Sequence, residues 1–408
     1  FTYDASDTEN DNLAIGYEAM TTNTAGGTAN VAVGNYALDA LTSGDYNVAV
    51  GMSALTANTT GNRNTGIGYT ALATNSTGEY NTAIGREALY TNSTGSSNTG
   101  LGYQALLFST TSSNNTAVGQ DALRANTTGA ANTSVGKAAL AGNTTGTRNL
   151  AIGYQAYNNS DTENDNLAIG YQAMTSNTAG GTRNLAVGNY ALDALTSGDD
   201  NIAVGYDAMT EGTTGTANVA VGRIALGANT TGDSNVAIGA YALDANTTGA
   251  DNVAVGRHAA GGSTTVTGIT AIGHEALKAN AAANITAIGY KALLDNSTGA
   301  DNTAVGYQAL LTNATGANNT AVGRDALKLN TGDNNTAFGM GALDTNAGGD
   351  DNVGIGHGAL DANTSGSGNI GIGAHYPLGA NTTGTRNMAI GRGALNSSDT
   401  EDDNIAIG

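Results

Sequence analysis

The chain has 408 residues with a formal net charge of −20, 60 Gly, one Pro, no Cys and no Trp. The absence of cysteine excludes a disulfide framework and a thiolate zinc site. The acidic balance argues against a nucleic-acid partner, because a phosphate backbone is bound by a basic surface. No apolar run approaches the roughly 18 residues of a membrane-spanning helix, so we expect no membrane span in this segment.

A short tandem repeat occupies the whole sequence. A glycine that follows an aliphatic or aromatic residue recurs about every 17 residues, first at Gly16 and last at Gly408, in 24 copies. The unit can be written Asn-Thr-Ala-Ile-Gly-Tyr-x-Ala-Leu-x-x-Asn-Thr-Thr-Gly-x-x, and a fixed period of this kind is typical of repeat architectures. We therefore expect a single repeat array over 1–408 that is a segment of a longer fibre.

A longer duplication is superimposed on the short repeat. Residues 6–51 match residues 160–205 at all but six positions, and a third copy of the same cassette begins near Ser398. The cassettes therefore begin near 6, 160 and 398. Duplication of several repeats at once suits a protein whose length matters more than any single site.

Each repeat contains signals for two strands and two turns. Short β-branched runs such as Asn-Val-Ala-Val-Gly at 47–51 favour a first strand. The Tyr-x-Ala-Leu segment is compatible with a helical turn or a second strand, and we favour the strand because coils stacked about 4.8 Å apart leave no room for a helix. The segment Asn-Thr-Thr-Gly is typical of a turn, in which we expect Asn and Gly to adopt left-handed conformations. The sequence therefore predicts an all-β fold, a parallel β-solenoid (β-roll) of about 24 coils.

Stacking of the coils would place equivalent residues above one another. We expect a ladder of core aliphatic residues, formed in the first coils by Ile15, Val33, Val50, Ile67 and Ile84 together with Leu38, Leu55, Leu72 and Leu89. We also expect a ladder of asparagines that bond from coil to coil, as in cross-β structures: Asn12, Asn30, Asn47, Asn64 and Asn81. The alternative is that each asparagine supports only its own turn.

Strand alternation predicts a second apolar surface. Successive side chains of a strand point to opposite faces, so the Ala and the following Ile cannot both face the inside of one roll. Both faces of the strand carry apolar residues of the kind that are usually buried. We therefore expect the chain to associate with itself, either as a trimer or in a laterally packed fibre.

The run Asn-x-Ala-[Ile/Val]-Gly resembles the head repeats of trimeric autotransporter adhesins, and similar repeats occur in bacterial and phage surface fibres. This resemblance covers the full chain but rests on five positions per coil, and the usual unit of that family is shorter than 17 residues. It implies a parallel β-roll whose small residue packs inside and whose aliphatic residue faces a trimer axis. It also implies an extracellular or cell-surface location.

No catalytic constellation is recognisable, so we expect no enzyme activity and no cofactor. The four histidines follow the repeat glycine by one or two residues, where other coils carry Tyr or Arg, and we interpret them as outward variable positions: His258, His274, His357 and His375. The acidic runs at 161–165 and 399–403 could ligate calcium, but the calcium-binding signature Gly-Gly-x-Gly-x-Asp is absent. We favour a solvated face that keeps the molecules apart, and no metal site is expected.

The Asn-Thr-Thr-Gly turn also creates acceptor sequences for glycans, N-linked to Asn or O-linked to Thr. The alternative is that the turn is used only for its conformation. The asparagines concerned are Asn58, Asn75, Asn92, Asn126, Asn143, Asn229, Asn246, Asn296, Asn313, Asn363 and Asn381.

The sequence favours a structural fibre or adhesin shaft, for example in a biofilm matrix, that has no catalytic activity and is decorated by covalent glycans. The alternative is a binding surface in which columns of Thr, Asn and Tyr recognise ice or carbohydrate. Interruptions of the turn threonines, as at Ala179-Gly180, argue against an ice-binding surface on the turn.

Overall fold

The computed structural model describes residues 11–23, 25–177, 179–397 and 399–408. It divides into two compact units, Phe1–Ala203 and Val204–Gly408. Within the described residues each unit is all-β and contains no helix. The cassette starts Ser6 and Ser398 lie outside the described residues.

Unit 1 contains one three-residue strand per repeat. The strands are β1 (Leu13–Ile15), β2 (Val31–Val33), β3 (Val48–Val50), β4 (Thr65–Ile67), β5 (Thr82–Ile84), β6 (Thr99–Leu101), β7 (Thr116–Val118), β8 (Thr133–Val135), β9 (Leu150–Ile152), β10 (Leu167–Ile169) and β11 (Leu185–Val187). The next strand, β12 (Ile202–Val204), falls at the division between the units.

Unit 2 repeats the same arrangement. Its strands are β13 (Val219–Val221), β14 (Val236–Ile238), β15 (Val253–Val255), β16 (Thr270–Ile272), β17 (Ala279–Asn280), β18 (Thr286–Ile288), β19 (Asp295–Asn296), β20 (Thr303–Val305), β21 (Thr320–Val322), β22 (Thr336–Phe338), β23 (Val353–Ile355), β24 (Ile370–Ile372), β25 (Met388–Ile390) and β26 (Ile405–Ile407).

Strands of neighbouring repeats pair in parallel without a change of register. In unit 1, for example, Thr65 pairs with Thr82, and Gly66 with Ala83. In unit 2, Val236 pairs with Val253 in the same way. Each coil is therefore one rung of a parallel sheet, which confirms the predicted parallel β-solenoid with its 17-residue spacing.

The core of each coil is small and is formed from both sides. The middle residue of the strand, such as Ala83, is fully buried, and so is the Leu four residues after the repeat glycine. The predicted core positions Leu38, Leu55, Leu72 and Leu89 are all 0% exposed. Ala and Leu therefore fill the interior from opposite sides of the coil.

The prediction of a second strand is wrong for most coils. The Tyr-x-Ala-Leu segment is a series of turns in which left-handed residues alternate with ordinary ones, for example Thr70 at φ 51° and Leu72 at φ 52°. Its N–H groups still bond between coils, because Thr70 donates to the Met52 carbonyl at 3.0 Å and Leu72 to the Ala88 carbonyl at 3.0 Å. Among the described residues, β pairing on this side is confined to the two-residue strands β17 and β19 and to the isolated bridges at Thr312 and Leu329.

The left-handed conformations expected in the Asn-Thr-Thr-Gly turn are also absent there. In the turn that starts at Asn58, neither Asn58 nor Gly61 has a positive φ. Left-handed residues stand instead directly before the strand-side Asn, as at Arg63 (φ 55°) and Tyr80 (φ 60°). The turn position requires Asn because of the hydrogen bonds that its side chain makes, and not because of its backbone conformation.

The repeat glycine is required by close backbone packing as well as by its conformation. Gly68 has φ 135°, and a Cβ atom at this position would lie 2.5 Å from the carbonyl oxygen of Gly85 in the next coil. Both the left-handed region and the contact exclude a side chain. This explains why the glycine recurs in every repeat.

The repeat near Pro377 carries one inserted residue, which leaves the sheet intact. Two consecutive left-handed residues, His375 and Tyr376, precede Pro377. The adjoining strands β24 and β25 remain paired in register. The extra residue is therefore absorbed in the turn that follows Gly373.

The left-handed non-glycine residues give a direct test of this backbone. Ala131 has φ 58° and is exposed, whereas the neighbouring Ala130 has no positive φ. A left-handed conformation costs a residue with a Cβ roughly 1–2 kcal/mol. We expect Ala131→Gly to raise the free energy of unfolding by up to about 1 kcal/mol and Ala130→Gly to lower it by about 0.5–1 kcal/mol.

Guanidinium unfolding of the two variants beside the parent chain measures this difference. Equal destabilisation by both substitutions would contradict the assigned backbone conformation.

Candidate functional surfaces

The first candidate surface is the outer face of the parallel sheet, formed by the first and third residues of each strand; we call it the sheet face. Its third residues carry the predicted core positions Ile15 (53% exposed), Ile67 (37%) and Ile84 (37%), while Val33 and Val50 are half-buried. The prediction that these five residues belong to the core of the coil is wrong. They do form a ladder, but it points away from the interior because the adjacent Ala faces inward.

The first residues of the strands divide the sheet face into blocks. In each unit five successive strands of the main sheet begin with Thr, and we call these sets the threonine ranks: Thr65, Thr82, Thr99, Thr116 and Thr133 in unit 1, and Thr270, Thr286, Thr303, Thr320 and Thr336 in unit 2. The flanking strands begin with Leu, Val, Ile or Met and form aliphatic blocks, for example Leu150, Leu167 and Leu185.

The strand-side asparagines form the predicted ladder. The backbone N–H of Asn30 donates to Asn12 Oδ1 at 2.8 Å, and the N–H of Asn47 donates to Asn30 Oδ1 at 2.8 Å. The Asn47 amide group also donates from Nδ2 to the Gly61 carbonyl at 2.9 Å. Asn64 and Asn81 continue the series through the same bonds. Each asparagine therefore links its own turn to the preceding coil.

The asparagines of the turn form a second buried ladder, which sequence analysis missed. Asn75 Nδ2 donates to Asn58 Oδ1 at 2.7 Å and to the Gly78 carbonyl at 3.0 Å. The eleven asparagines predicted as acceptors of N-linked glycans belong to this ladder and are all 0% exposed: Asn58, Asn75, Asn92, Asn126, Asn143, Asn229, Asn246, Asn296, Asn313, Asn363 and Asn381. An N-linked glycan would have to displace these Nδ2 bonds, so that part of the prediction is wrong for the folded coil.

The second ladder depends on the glycine three residues later. A Cβ atom on Gly95 would lie 2.4 Å from Asn92 Oδ1, so a buried Asn in this geometry requires Gly at that place. Ser112, Glu163 and Val266 are among the residues that replace this glycine. In these three coils the Asn is replaced by Ser, at Ser109, Ser160 and Ser263, whereas Asn280 is retained beside Ala282.

Each Ser interrupts the ladder, because its hydroxyl does not reach the Asn of the preceding coil. The side-chain oxygens Asn92 Oδ1, Asn143 Oδ1 and Asn246 Oδ1 accordingly have no hydrogen-bond partner among the described residues. The paired replacement of Asn and Gly is visible in the sequence, and it could have revealed this contact.

One coil fills the gap left by Ser160 with an aromatic residue. Tyr157 occupies the core Leu position and is 0% exposed. Its hydroxyl accepts hydrogen bonds from Asn166 Nδ2 at 2.6 Å and Asn177 Nδ2 at 3.1 Å. Burial raises the pKa of the Tyr157 hydroxyl, and the nearby Glu163 carboxylate adds to the shift. This tyrosine is a structural element that takes the place of the missing amide as acceptor for Asn166 and Asn177, while Asn143 Oδ1 on the other side of the interruption has no partner among the described residues.

The acidic run at 161–165 has a structural function that was not predicted. Glu163 is 2% exposed, and its Oε2 accepts from the N–H of Asp161 at 2.8 Å and of Thr162 at 3.0 Å. Asp165 pairs with Arg148 of the preceding coil at 2.6 Å. Glu401 repeats the contact to the N–H of Asp399 at 2.9 Å. Only part of each run is therefore a solvated acidic face.

The residues after the repeat glycine form exposed stacks. Tyr290 stacks on Tyr307 with 5.2 Å between ring centroids, and His274 stacks on Tyr290 at 5.6 Å. His258 stacks on Tyr241, and His357 contacts Tyr376 edge-on. Because the ring faces cover one another, they are unavailable as a platform for sugar rings. This geometry argues against the carbohydrate-binding alternative at this column.

A recess in unit 2 has a volume of about 960 Å³. Gly261 and Gly262 open it beside Asp244, and burial raises the pKa of the Asp244 carboxyl group. On its rim, Glu275 is paired with Lys278 at 2.9 Å and with Lys291 at 3.5 Å. Within the described chain, no group of three or more His, Asp or Glu side chains is arranged to hold a metal ion.

The comparisons with protein families and with curated proteins give no match: no protein-family model matches the chain, and no curated protein is significantly similar to it. Among the described residues, no helix has the length and apolarity needed to cross a membrane.

The coupling between the turn Asn and its glycine can be tested by repairing one interruption. We expect the double variant Ser109→Asn/Ser112→Gly to raise the free energy of unfolding by about 1–2 kcal/mol, because the new amide group donates to Asn92 Oδ1. Ser109→Asn alone should destabilise the chain, since its Oδ1 would collide with the Ser112 side chain.

Denaturant unfolding of the parent, both single variants and the double variant gives the coupling energy. Additive effects of the two substitutions would show that these positions do not constrain each other.

Proposed function

We propose that this chain is a structural shaft, a segment of an extracellular fibre or adhesin stalk that has no catalytic activity. The two asparagine ladders support this proposal most directly. In coil after coil, the buried polar groups are satisfied by the next coil, as where Asn47 bonds to Asn30 and Asn75 bonds to Asn58. An architecture whose contacts are made between neighbours can be lengthened by adding coils. It needs no particular site to be functional.

The sheet face supports the proposal that the shaft associates with itself. A side chain such as Ile238 remains 41% exposed, and the aliphatic blocks align several such residues on successive coils. Contiguous exposed apolar surface is typical of protein interaction sites. Burial of this surface recovers roughly 25 cal/mol for each Å². A second and a third copy of the same chain are the partners that present an identical aliphatic ladder at the same spacing.

The resemblance to trimeric autotransporter adhesins supports the same orientation, because in that family the small residue is internal and the aliphatic residue faces the trimer axis. In the aliphatic blocks Ala237 is buried and Ile238 is exposed, in agreement with that arrangement. An extracellular or cell-surface location, as for an adhesin or a biofilm matrix fibre, follows from this resemblance and is part of the proposal. The net charge of −20 would limit association outside the sheet face.

Glycan attachment remains part of the proposal only for the turn threonines. The second threonine of the turn is exposed, as at Thr60, Thr77 and Thr94, whereas the asparagine before it is buried. O-linked sugars on these threonines would project from the turn without disturbing either ladder. Mass spectrometry of the protein purified from its source would detect them.

The self-association proposal is tested at the aliphatic block of unit 1. We expect the parent chain to sediment as a trimer or a larger assembly, and the triple variant Leu150→Lys/Leu167→Lys/Leu185→Lys to sediment as a monomer, because three charges cannot be buried in an apolar interface without partners. A matched control places three lysines on exposed turn positions, Thr111→Lys/Thr128→Lys/Thr145→Lys, and should leave the assembly unchanged.

Circular dichroism confirms that each variant is folded before sedimentation is compared. A monomeric parent chain at all concentrations would overturn the proposed association, and so would loss of assembly in both variants alike.

A further inference from the structure

The threonine ranks have hydroxyl groups that the chain itself does not use. Among the described residues, no hydrogen bond is made by the Oγ1 atoms of Thr82, Thr99 or Thr116, or by the other strand threonines of the two ranks. The turn threonines differ, because Thr59 Oγ1 donates to the Ser76 carbonyl at 3.0 Å and Thr127 Oγ1 to the Thr144 carbonyl at 3.0 Å. The strand hydroxyls are therefore available for hydrogen bonds to solvent.

The ranks are regular in two directions. Along the sheet, Thr82 pairs with Thr99 and Thr99 with Thr116 in an unbroken parallel register, which spaces the hydroxyls about 4.8 Å apart. Along each strand, the threonine lies two residues from an exposed or half-buried aliphatic side chain, about 6.6 Å away. The result is a lattice of alternating hydroxyl and methyl groups that extends over five rungs in each unit.

The ladders behind this lattice oppose distortion. Parallel sheets normally twist, and stacked side-chain ladders are one of the means by which a sheet is kept flat. Behind the rank, the strand-side asparagines bond from rung to rung, for example from Asn98 to Asn81 at 3.0 Å. The sheet face at β4–β8 thus combines a fixed spacing with a rigid support.

We propose that the threonine ranks bind a regular lattice of water, the surface of ice. The spacing of the rungs is close to the repeat distance of water molecules in hexagonal ice. Methyl groups order the water between the rungs, while each hydroxyl donates to and accepts from it. This surface lies on the strands and not on the turn, whose interrupted threonines argued against ice binding.

A second copy of the chain is a poorer occupant of the ranks. Docking of an apolar face would bury each hydroxyl without a partner, and a buried unpaired polar group is unfavourable. Self-association is therefore assigned to the aliphatic blocks and water binding to the threonine ranks. Phe338, which is 58% exposed, interrupts the lattice at the last rung of the unit 2 rank. The unit 1 rank is thus the more regular of the two.

The test compares two sets of six substitutions in the full chain. The rank variant carries Thr82→Leu, Thr99→Leu, Thr116→Leu, Thr286→Leu, Thr303→Leu and Thr320→Leu, and Leu already occupies this column at Leu150, Leu167 and Leu185. The turn variant carries the same change at exposed turn threonines: Thr60→Leu, Thr77→Leu, Thr94→Leu, Thr248→Leu, Thr298→Leu and Thr315→Leu.

We expect the parent chain and the turn variant to inhibit ice recrystallisation at the same concentration, and the rank variant to require about ten-fold more protein or greater, because it lacks six hydroxyls of the lattice. Inhibition by all three proteins alike, or by none, would overturn the proposal.

Sedimentation of the same samples separates this result from the proposed shaft function. Ice binding without self-association would support only the rank proposal. Self-association without ice binding would support only the proposed shaft.

Discussion

The buried amide of asparagine, bonded from one coil to the next, is the interaction on which the architecture depends. The interior of most coils is filled by Ala and a single Leu or Met, and a core of this size cannot offset the cost of ordering 17 residues. The backbone and asparagine bonds between coils supply the rest. Two such ladders run beside the core, one at the strand and one at the turn, as at Asn47 and Asn75. Both tie each coil to its neighbours, so stability belongs to the stack and not to the single coil.

The same ladders explain the constraints on the other columns. At Asn92 the turn Asn leaves no room for a Cβ atom on Gly95, and Ser replaces Asn in the coils that carry Ser112, Glu163 and Val266 at the glycine position. The repeat glycine is fixed by the approach of the next carbonyl group. Because these contacts fix the residue types of the interior, the sequence varies from coil to coil mainly at the outward-facing positions. These positions carry aliphatic residues, threonines, aromatic stacks or charge pairs. The functions proposed for the chain therefore reside on its surfaces.

The period, the strand and the strand-side asparagines could be predicted because they recur at a constant spacing that only a stack can use. The second side of the coil could not, since Leu72 in a left-handed conformation contradicts the preference of that residue type, and contacts between coils override the preference. The prediction that Ile67 stacks on its equivalents in neighbouring coils is correct, but the prediction that it faces the interior is wrong. The alternation of side chains along a strand does not show which face is internal. The threonine ranks could not be predicted, because the sequence does not show that turn hydroxyls such as that of Thr59 are bonded within the chain while the strand hydroxyls are not.

Equivalence of residues 17 positions apart is the central claim, and cysteine cross-linking tests it directly because the natural chain has no cysteine. Thr77, Thr94 and Thr111 occupy the same exposed column in three successive coils. In Thr77→Cys/Thr94→Cys, the Cα atoms of neighbouring rungs lie within the roughly 4.4–6.8 Å that a disulfide requires, so oxidation should give an intramolecular bond. In Thr77→Cys/Thr111→Cys an intervening coil separates the two thiols, and no intramolecular bond should form. Equal cross-linking of the two pairs, or failure of the first, would contradict the stacked arrangement.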